Sequence, residues 1–540
     1  MIEDADPTMK RQLLMGDEAV ALGALHAGVA LGTGYPGTPS TEILESFSAI
    51  GGCAEWAPNE KVAAEVALGV AFAGGNTLVT MKHVGLNVAA DAFFTAAYTD
   101  MTGGFVLVSA DDPGMASSQN EQDNRHYSAA AAVPTLEPSD SQEAYDFTRL
   151  AFDLSVRWKI PVMLRLTTRI CHSKTIVIPR PRAENVPQPS FTRDIKGRVM
   201  IPAYARPAHG RLRGKIEEIL AWNEAEGPQQ RIEGDGKLGI ITSGISYTHV
   251  REAAPEASVL KIGMSYPLPM EAMKAFAASV ERCVVIEEGD HYLVEAIRAA
   301  GVAVEGKPEM YRFGELNTAR VQRILDNDTS PEPVQPRGKP PQLCPGCSHR
   351  SVFETLRDLD CIVAGDIGCY TLSVLPPFEA MDTCVCMGAS IGVGLGMRHV
   401  LPKEQARRVV SVIGDSTFMH SGITGLVEMA YNPPDTGHVV LILDNETTAM
   451  TGMQEHPGTG RSLDHSRAHK IDYETLARAI GIQNVHVLNP TKEKKSLAEL
   501  IVSSLAKDEL TLIVAHRPCV LAAPKIRMYE EMASCEKAEA

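Results

Sequence analysis

The stretch that decides the fold is GDSTFMHSGITGLVEMAYNPPDTGHVVLILDNETT, residues 414–448. It follows an apolar run, RVVSVIG, typical of a buried strand, and it contains a second run, HVVLILDN, with a helical pattern between the two. Strands that alternate with helices predict βαβ units and a parallel sheet. Asp415 and Asn445 then stand at the carboxyl ends of two strands, the edge at which open α/β sheets bind ligands.

The same alternation extends along most of the chain, so the predicted fold class is α/β. Two parallel-sheet domains are expected, with a smaller α/β domain between them. The predicted division is a first domain at 1–185, a connecting arm at 186–233, a middle domain at 234–328, a proline-rich linker at 329–343, a third domain at 344–525 and a charged tail at 526–540.

Composition excludes several classes of protein. The 540 residues carry a net charge of -16, which argues against nucleic-acid binding. No run reaches the roughly 18 apolar residues of a membrane span, and the acidic start MIEDADPTMK does not resemble a secretory leader. We therefore expect a cytoplasmic protein that binds neither membranes nor nucleic acid, in which the 11 cysteines are not disulfide-bonded.

Oxygen ligands at the two strand ends predict a metal site. A carboxylate and a carboxamide, with a loop carbonyl near Thr447, suit a hard cation such as Mg²⁺, which usually accompanies phosphates. From GDS alone, a helix cap is the favoured interpretation of Asp415. The whole order of elements resembles the thiamine-diphosphate motif, in which Gly-Asp-Gly precedes an Asn by some thirty residues. Here Asn445 follows Asp415 by 30 residues, and Ser416 replaces the second Gly.

A glycine-rich stretch, CMGASIGVGLGM at 386–397, lies upstream of this motif. It is compatible with a tightly packed helix of small residues. It is equally compatible with a helix N-terminus that donates backbone N–H groups to a diphosphate. We expect Cys386 and Gly388 to contact the cofactor and Cys384 to serve packing.

Glu60, in PNEKVAAEVALG, is a candidate for the carboxylate that thiamine chemistry requires against the aminopyrimidine ring. Taken alone, it is a first-turn acid favoured by the helix dipole. Glu65 lies five residues on and points roughly 140° away around a helix, so only one of the two faces a given ligand.

Several motifs in order make the resemblance specific: YPGTPST, NEKVAAEVALG, MKHVGLNVAADAFF, SADDPG, CPGC, DIGCYT, MGASIG and GDSTFMHSGI. Together they resemble the alpha subunits of indolepyruvate ferredoxin oxidoreductases, a branch of the 2-oxoacid:ferredoxin oxidoreductases. The resemblance covers nearly the whole chain. It implies that the first domain binds the aminopyrimidine of thiamine diphosphate and the third binds its diphosphate.

The resemblance also implies roles for individual residues. Glu60 faces N1′ of the aminopyrimidine, while Mg²⁺ and the cofactor are held by a second set: Gly368, Cys386, Gly388, Asp415, Ser416, Asn445 and Thr447. The residues expected near the 2-oxoacid are Thr38, His83 with Lys82, and Arg125 as the partner of the substrate carboxylate. The alternatives are a capping turn for Thr38, a structural histidine and a solvated loop arginine.

The paired cysteines of QLCPGCSHR, with His349 close by, are compatible with zinc or a structural knuckle. Thiamine-dependent oxidation offers another role, because its electrons must leave one at a time and four thiolates can hold an iron–sulfur cluster. The resemblance implies that one [4Fe–4S] cluster is held by Cys344, Cys347, Cys369 and Cys519.

The expected protein is the large catalytic subunit of an arylpyruvate oxidoreductase that forms acyl-coenzyme A and CO₂. The family implies a small gamma-type partner subunit, and we expect a dimer of heterodimers. Family members often carry a C-terminal ferredoxin-like extension, which does not follow here, so we expect electrons to pass to ferredoxin or another iron–sulfur or flavin protein. The alternatives are a non-oxidative thiamine-dependent decarboxylase or carboligase, and a non-catalytic scaffold.

Overall fold

The computed structural model describes residues 10–182, 189–333 and 340–539, the side chains of 532–539 excepted. The chain divides into two compact units, Met1–Pro333 and Val334–Ala540. The division falls inside the predicted proline-rich linker, part of which lies outside the described residues. The boundaries of the predicted domains remain predictions.

The first unit contains the following described elements. Its strands are β1 (Gln12–Met15), β2 (Val29–Gly34), β3 (Ala54–Trp56), β4 (Asn76–Lys82), β5 (Phe105–Asp111), β6 (Thr135–Leu136), β7 (Val162–Thr167), β8 (Lys174–Val177), β9 (Gln229–Ile232), β10 (Leu238–Ser243), β11 (Ser258–Ile262), β12 (Met264–Tyr266) and β13 (Arg282–Ile286). Its helices are α1 (Gly16–His26), α2 (Thr41–Ala49), α3 (Glu60–Phe72), α4 (His83–Ala96), α5 (Arg125–Ala131), α6 (Ser141–Trp158), α7 (Thr168–His172), α8 (Ile195–Arg198), α9 (Pro202–Glu226), α10 (Ser246–Ala253), α11 (Met270–Ala277), α12 (Tyr292–Ala299) and α13 (Thr318–Leu325).

The largest sheet of this unit has the strand order β12-β6-β7-β5-β4-β2-β3 among the described residues. Its neighbours are parallel except for β12, which pairs antiparallel with β6. Every residue of β4 and β5 is buried, as expected for parallel strands covered on both faces. The predicted α/β class with parallel sheets is confirmed.

A second, smaller sheet of the first unit has the order β13-β10-β11-β9, and its strands lie within or next to the range predicted for the middle α/β domain. The predicted connecting arm contains regular structure. Helix α9 spans Pro202–Glu226 within it, and β9 adds an antiparallel edge to this sheet. Proline is tolerated in a first helical turn because the N–H it lacks would be unpaired there.

Buried ion pairs join the segments of the first unit. The Arg165 guanidinium donates to Asp111 (Nε–Oδ2 2.7 Å) and to Glu137 (Nη1–Oε2 2.8 Å). Glu288 is also buried and accepts the Leu316 N–H at 2.8 Å. Charges removed from water in this way are stabilised only while their partners remain in place.

We expect Glu288→Gln to flatten the pH dependence of stability between about pH 4.5 and pH 7. Burial raises the pKa of Glu288 to about 7, so the folded state keeps a proton that the unfolded chain has already lost. The stabilisation is complete below the unfolded pKa and is lost as pH rises through 7, on the order of 3 kcal/mol in total.

Thermal unfolding midpoints at pH 5 and pH 7 test this expectation. The difference between the two midpoints should shrink in Glu288→Gln and persist in Glu281→Gln, a control at an exposed position. An unchanged difference in Glu288→Gln would show that Glu288 is already ionised in the folded protein at pH 5.

The second unit contains a second set of described elements. Its strands are β14 (Ile362–Ala364), β15 (Val409–Gly414), β16 (His438–Asp444), β17 (Asn484–Leu488) and β18 (Leu510–His516). Its helices are α14 (Ser348–Asp358), α15 (Ala389–Val400), α16 (Lys403–Ala406), α17 (Asp415–Thr417), α18 (Ile423–Tyr431), α19 (Tyr473–Ile480), α20 (Lys494–Leu505) and α21 (Ala523–Glu539).

The sheet of the second unit has the order β14-β15-β16-β18-β17, and these described strands are all parallel. Apolar clusters pack on both of its faces. The segment predicted as a charged tail, 526–540, is helical as far as Glu539, since α21 continues through it. Among the described residues, no helix is both long and apolar enough to cross a membrane.

Candidate active site

Glu60 lies at the carboxyl edge of the large sheet in the first unit. Asn59, after β3, caps α3 by accepting the Val62 N–H (2.9 Å), so Glu60 is the first helical residue and is only 5% exposed. A Cβ built on Gly85 of α4 would lie 2.6 Å from Glu60 Oε1. The carboxylate therefore packs on a stretch of helix where only glycine leaves room for it.

Glu65, the other acid on α3, has a different environment. Its side chain is 47% exposed and pairs with Lys61 one helical turn away. Of the two acids on this helix, Glu60 is the one directed into the protein, as the helical geometry predicted for a single ligand-facing carboxylate.

The other residues expected near the 2-oxoacid follow neighbouring strands at the same edge. Thr38 is half-buried in the loop after β2. Lys82 ends β4, donates from Nζ to the Ser117 carbonyl (2.6 Å), and has its pKa lowered to about 8 by burial. His83 begins α4, is fully buried, and places Nε2 3.1 Å from the Asn120 carbonyl. Lys82 and His83 thus both contact the loop that follows β5.

The structure does not support the expectation that Arg125 binds the substrate carboxylate. Its side chain is fully buried, and its guanidinium already donates to carboxylates and a carbonyl. Nε lies 2.9 Å from Asp123 Oδ1, Nη1 lies 3.0 Å from Glu287 Oε2, and Nη2 lies 2.9 Å from the Glu288 carbonyl. Arg125 therefore ties the loop after β5 to the middle sheet and is not a solvated loop charge.

Asp415 joins two strand ends in the second unit. It begins a helical segment at the end of β15 and is only 2% exposed. Its Oδ2 accepts the N–H groups of Asn445 (3.1 Å) and Glu446 (2.8 Å), which follow β16, and its Oδ1 accepts the Ser416 N–H (2.9 Å). A turn of π-helix follows at Phe418–Gly422, a feature frequent at functional sites.

The orientation of the Asn445 amide follows from its neighbours. Its Oδ1 accepts the Thr447 N–H (3.1 Å), and its Nδ2 faces His349 Nε2 at 3.5 Å. Burial lowers the pKa of His349 to about 4, so this ring is neutral and can accept. Carboxylate, carboxamide and loop backbone therefore supply an oxygen-rich donor set, which fits a hard cation.

Two further residues near the oxygen-rich donor set were not predicted from the sequence. His456 is buried and places Nε2 3.3 Å from Asp415 Oδ2, while its Nδ1 accepts the Gly458 N–H. No sequence pattern marks it, because it lies in an irregular loop. Asp366 follows β14 and is fully buried. Its place in AGDIGC, directly after a strand, is the signal that could have identified it.

The glycine-rich segment behaves mainly as a packed helix. Gly388 adopts φ 87° at the N-terminus of α15, and its N–H donates to Asp366 Oδ1 (2.9 Å). The Ser390 N–H donates to Asp366 Oδ2 (3.0 Å). These amides therefore already donate to Asp366, and the contact between Gly388 and the cofactor stays a prediction. Cys384 and Cys386, just before the helix, are exposed.

Gly368 and Ser416 are each close in sequence to one of the two buried aspartates, Asp366 and Asp415. A Cβ on Gly368 would lie 2.3 Å from the Tyr370 ring, and the Tyr370 hydroxyl accepts the Gly414 N–H (2.9 Å). The Ser416 hydroxyl lies 2.7 Å from the Thr448 hydroxyl. The ends of β14, β15 and β16 are thus linked through side chains at one edge of the sheet.

The four cysteines expected as cluster ligands line one cavity of about 130 Å³. Cys344 and Cys347 form the turn before α14, Cys369 follows β14, and Cys519 follows β18. All four are half-buried free thiols. Burial is the main reason why the pKa of Cys369 is raised to about 11, and the neighbouring thiols are the second reason. Convergence of four sulfur donors fits an iron–sulfur cluster or a Cys₄ metal site.

Asn445 connects the oxygen-rich set with this cavity. Its carbonyl accepts the Cys519 N–H (2.9 Å), its side chain faces His349, and it lines the cavity together with the cysteines. The predicted metal ligand and the predicted cluster ligands are therefore adjacent within the second unit.

Comparison with known proteins gives the family. Residues 22–216 match the pyruvate flavodoxin/ferredoxin oxidoreductase thiamine-diphosphate-binding domain, and residues 366–515 match the C-terminal thiamine-pyrophosphate-binding domain of thiamine-pyrophosphate enzymes. The chain is 38% identical to indolepyruvate oxidoreductase subunit IorA of Archaeoglobus fulgidus over 98% of its own length and 89% of the relative's. The chain belongs to the IorA family. The Thermococcus kodakarensis IorA subunit is 37% identical, with 96% and 87% of the two chains covered.

Among solved structures, the fold is similar to a 2-oxoglutarate:ferredoxin oxidoreductase from Magnetococcus marinus, solved with 2-oxoglutarate, coenzyme A and succinyl-CoA. The TM-score is 0.50 at 17% identity, with 60% of this chain and 66% of the other covered. As an IorA-family member, the chain is a subunit of a thiamine-diphosphate-dependent 2-oxoacid oxidoreductase. The predicted family and enzyme class are confirmed.

Proposed function

We propose that this chain is the large catalytic subunit of an arylpyruvate oxidoreductase, with indolepyruvate as the type substrate. The reaction converts a 2-oxoacid and coenzyme A to acyl-coenzyme A, CO₂ and a proton, and its electron pair passes singly to an external acceptor. The observation that carries the redox part is the convergence of four cysteines on a cavity lined also by Asn445. The substrate class follows the names of the relatives.

Thiamine diphosphate, when bound, supplies the electron sink that decarboxylation of a 2-oxoacid needs. Glu60 is proposed to accept a hydrogen bond from the aminopyrimidine ring, since it is a buried carboxylate seated against Gly85. Asp415 and Asn445, with the Thr447 backbone, are proposed to hold Mg²⁺ and through it the diphosphate. Thr38 and His83 are proposed to approach the substrate.

The iron–sulfur cluster, when bound, supplies a one-electron acceptor. Its proposed ligands are Cys344, Cys347, Cys369 and Cys519, whose half-buried thiols line the cavity with apolar side chains such as Leu343 and Leu372. An apolar surround limits access of water to a cluster and tunes its potential. A small partner subunit and a ferredoxin-type acceptor complete the proposed assembly.

The test uses the complex with its partner subunit, purified without oxygen. Indolepyruvate, phenylpyruvate and hydroxyphenylpyruvate are supplied in turn with coenzyme A and a viologen dye. We expect dye reduction and acyl-coenzyme A formation that both require the 2-oxoacid and coenzyme A. Release of CO₂ without dye reduction would point to a non-oxidative decarboxylase, and no turnover of any arylpyruvate would remove the proposed substrate class.

We expect Asp415→Asn to weaken Mg²⁺-dependent binding of thiamine diphosphate at least about 10-fold. The substitution removes the negative charge and places an NH₂ group against backbone N–H groups that now donate to Oδ1 and Oδ2. Calorimetric titration with thiamine diphosphate at fixed Mg²⁺ measures the change. Asp435→Asn, at an exposed position of the same unit, is the control. Equal affinities in wild type and Asp415→Asn would exclude Asp415 as a ligand.

A further inference from the structure

A second group of metal-ligating side chains lies in the first unit, on three different helices. Asp17 is in the first turn of α1, Glu42 is in the first turn of α2, and His172 ends α7. One ligand atom from each lies within 4.8 Å of the others, and His172 Nε2 is 3.9 Å from Glu42 Oε2. We call these three residues the Asp17 cluster.

Asp17 is what distinguishes this cluster from an ordinary group of surface acids. Its side chain is fully buried, and no N–H or O–H group among the described residues donates a hydrogen bond to either of its oxygens. The Cys171 thiol, a weak donor, is the one side-chain hydrogen bond that lowers the pKa of Asp17. A buried carboxylate with so weak a donor is costly and calls for a proton or a cation to balance it.

The charged neighbours of Asp17 make its negative charge more costly still. The charged groups that act on its pKa are Glu42 and Glu18, and both are acids. Glu18 already accepts the Met15 N–H at 2.7 Å. One oxygen of Glu42 is also buried without a hydrogen bond. The cluster therefore combines two carboxylates with only an imidazole to compensate them.

The backbone holds the three helices in close contact. A Cβ built on Gly16 would lie 2.2 Å from the Ile170 carbonyl oxygen, so α1 approaches α7 as closely as a glycine permits. Asp17, the next residue, lies beside Cys171 of α7 and within 4.8 Å of a ring nitrogen of His172. The side chains of His172 and Glu42 are 38% and 40% exposed, which leaves a route from solvent to the buried carboxylate.

We propose that Asp17, Glu42 and His172 bind a divalent transition-metal ion, with Zn²⁺ the best match to two carboxylates and one imidazole. Zinc takes such oxygen and nitrogen ligands at about 2.0–2.2 Å, and water completes its coordination on the exposed side. The ion neutralises Asp17 and links α1, α2 and α7. The competing state is a neutral Asp17 acid, because burial raises its pKa well above the ordinary value.

The test compares zinc binding by the wild-type complex with that of His172→Ala and Glu42→Gln. Each protein is dialysed against Zn²⁺ in the presence of excess Mg²⁺ and thiamine diphosphate, and its bound zinc is measured. Any zinc bound by the cysteines contributes equally to every sample, because all the variants keep their cysteines. We expect both variants to bind about one zinc ion per chain less than wild type, and zinc to raise the melting temperature of wild type only.

Glu55→Gln, at an exposed position of the first unit, is the matched control and should bind as much zinc as wild type. Both test substitutions are at half-exposed side chains, so folding is retained, and circular dichroism verifies it. Equal zinc content and an equal response of the melting temperature in wild type, His172→Ala and Glu42→Gln would overturn the proposal and leave Asp17 as a protonated acid.

Discussion

Replacing Glu60 with Gln should lower kcat for arylpyruvate oxidation by about 10³-fold, the range observed when a general acid–base group is lost. The carboxylate is 5% exposed and seated against Gly85, so the amide occupies the same space with little change in packing. Gln cannot hold a proton or the negative charge that an aminopyrimidine partner requires. Dye reduction by the oxygen-free complex measures kcat, and calorimetry should show thiamine diphosphate still bound.

Glu65→Gln is the matched control, because it makes the same chemical change on the same helix at an exposed side chain. It should leave kcat unchanged. Gly85→Ala should lower kcat as Glu60→Gln does, since its methyl group would displace the Glu60 carboxylate without removing it. A Glu60→Gln complex with wild-type turnover would indicate that the chain is a scaffold and that catalysis lies elsewhere in the assembly.

Replacing Cys369 with Ala should remove most of the iron from the protein and reduce dye reduction to background. Cys369 contributes one of four thiols to the cavity, and we expect a cluster deprived of one of its four thiolate ligands to lose iron during purification. Iron and sulfide analysis and the broad visible absorption of anaerobic protein measure the loss. Binding of thiamine diphosphate should persist, because the oxygen-rich set around Asp415 is unaltered.

Cys361→Ala is the control for this experiment. Cys361 is a half-buried cysteine of the same unit, packed beside an apolar cluster and not lining the cavity, and burial raises its pKa to about 11. Its substitution should leave iron content unchanged. Unchanged iron in Cys369→Ala would exclude the proposed ligand set and direct attention to the exposed pair Cys384 and Cys386.

The sequence predicted the parts of the site that depend on local order along the chain. Asp415 and Asn445 each follow a buried strand directly, and parallel strands present their carboxyl ends at one edge. Their proximity therefore follows from the strand pattern alone. Glu60 was identifiable as a first-turn acid, and its interior position is explained by Asn59, which caps the helix one residue earlier. The set of four cysteines came from resemblance, since Cys519 stands far from the others in sequence.

The amino-acid sequence by itself determined the α/β class and the two strands that end at Asp415 and Asn445, because apolar periodicity and turn residues act over a few positions. Only the tertiary structure decided which charges meet. Arg125 pairs with Glu287, 162 residues away, and so is not free for a substrate. Asp366 takes the Gly388 amide, and Asp17 meets His172. Such pairings depend on how helices and loops pack after the sheets form, which no local pattern encodes.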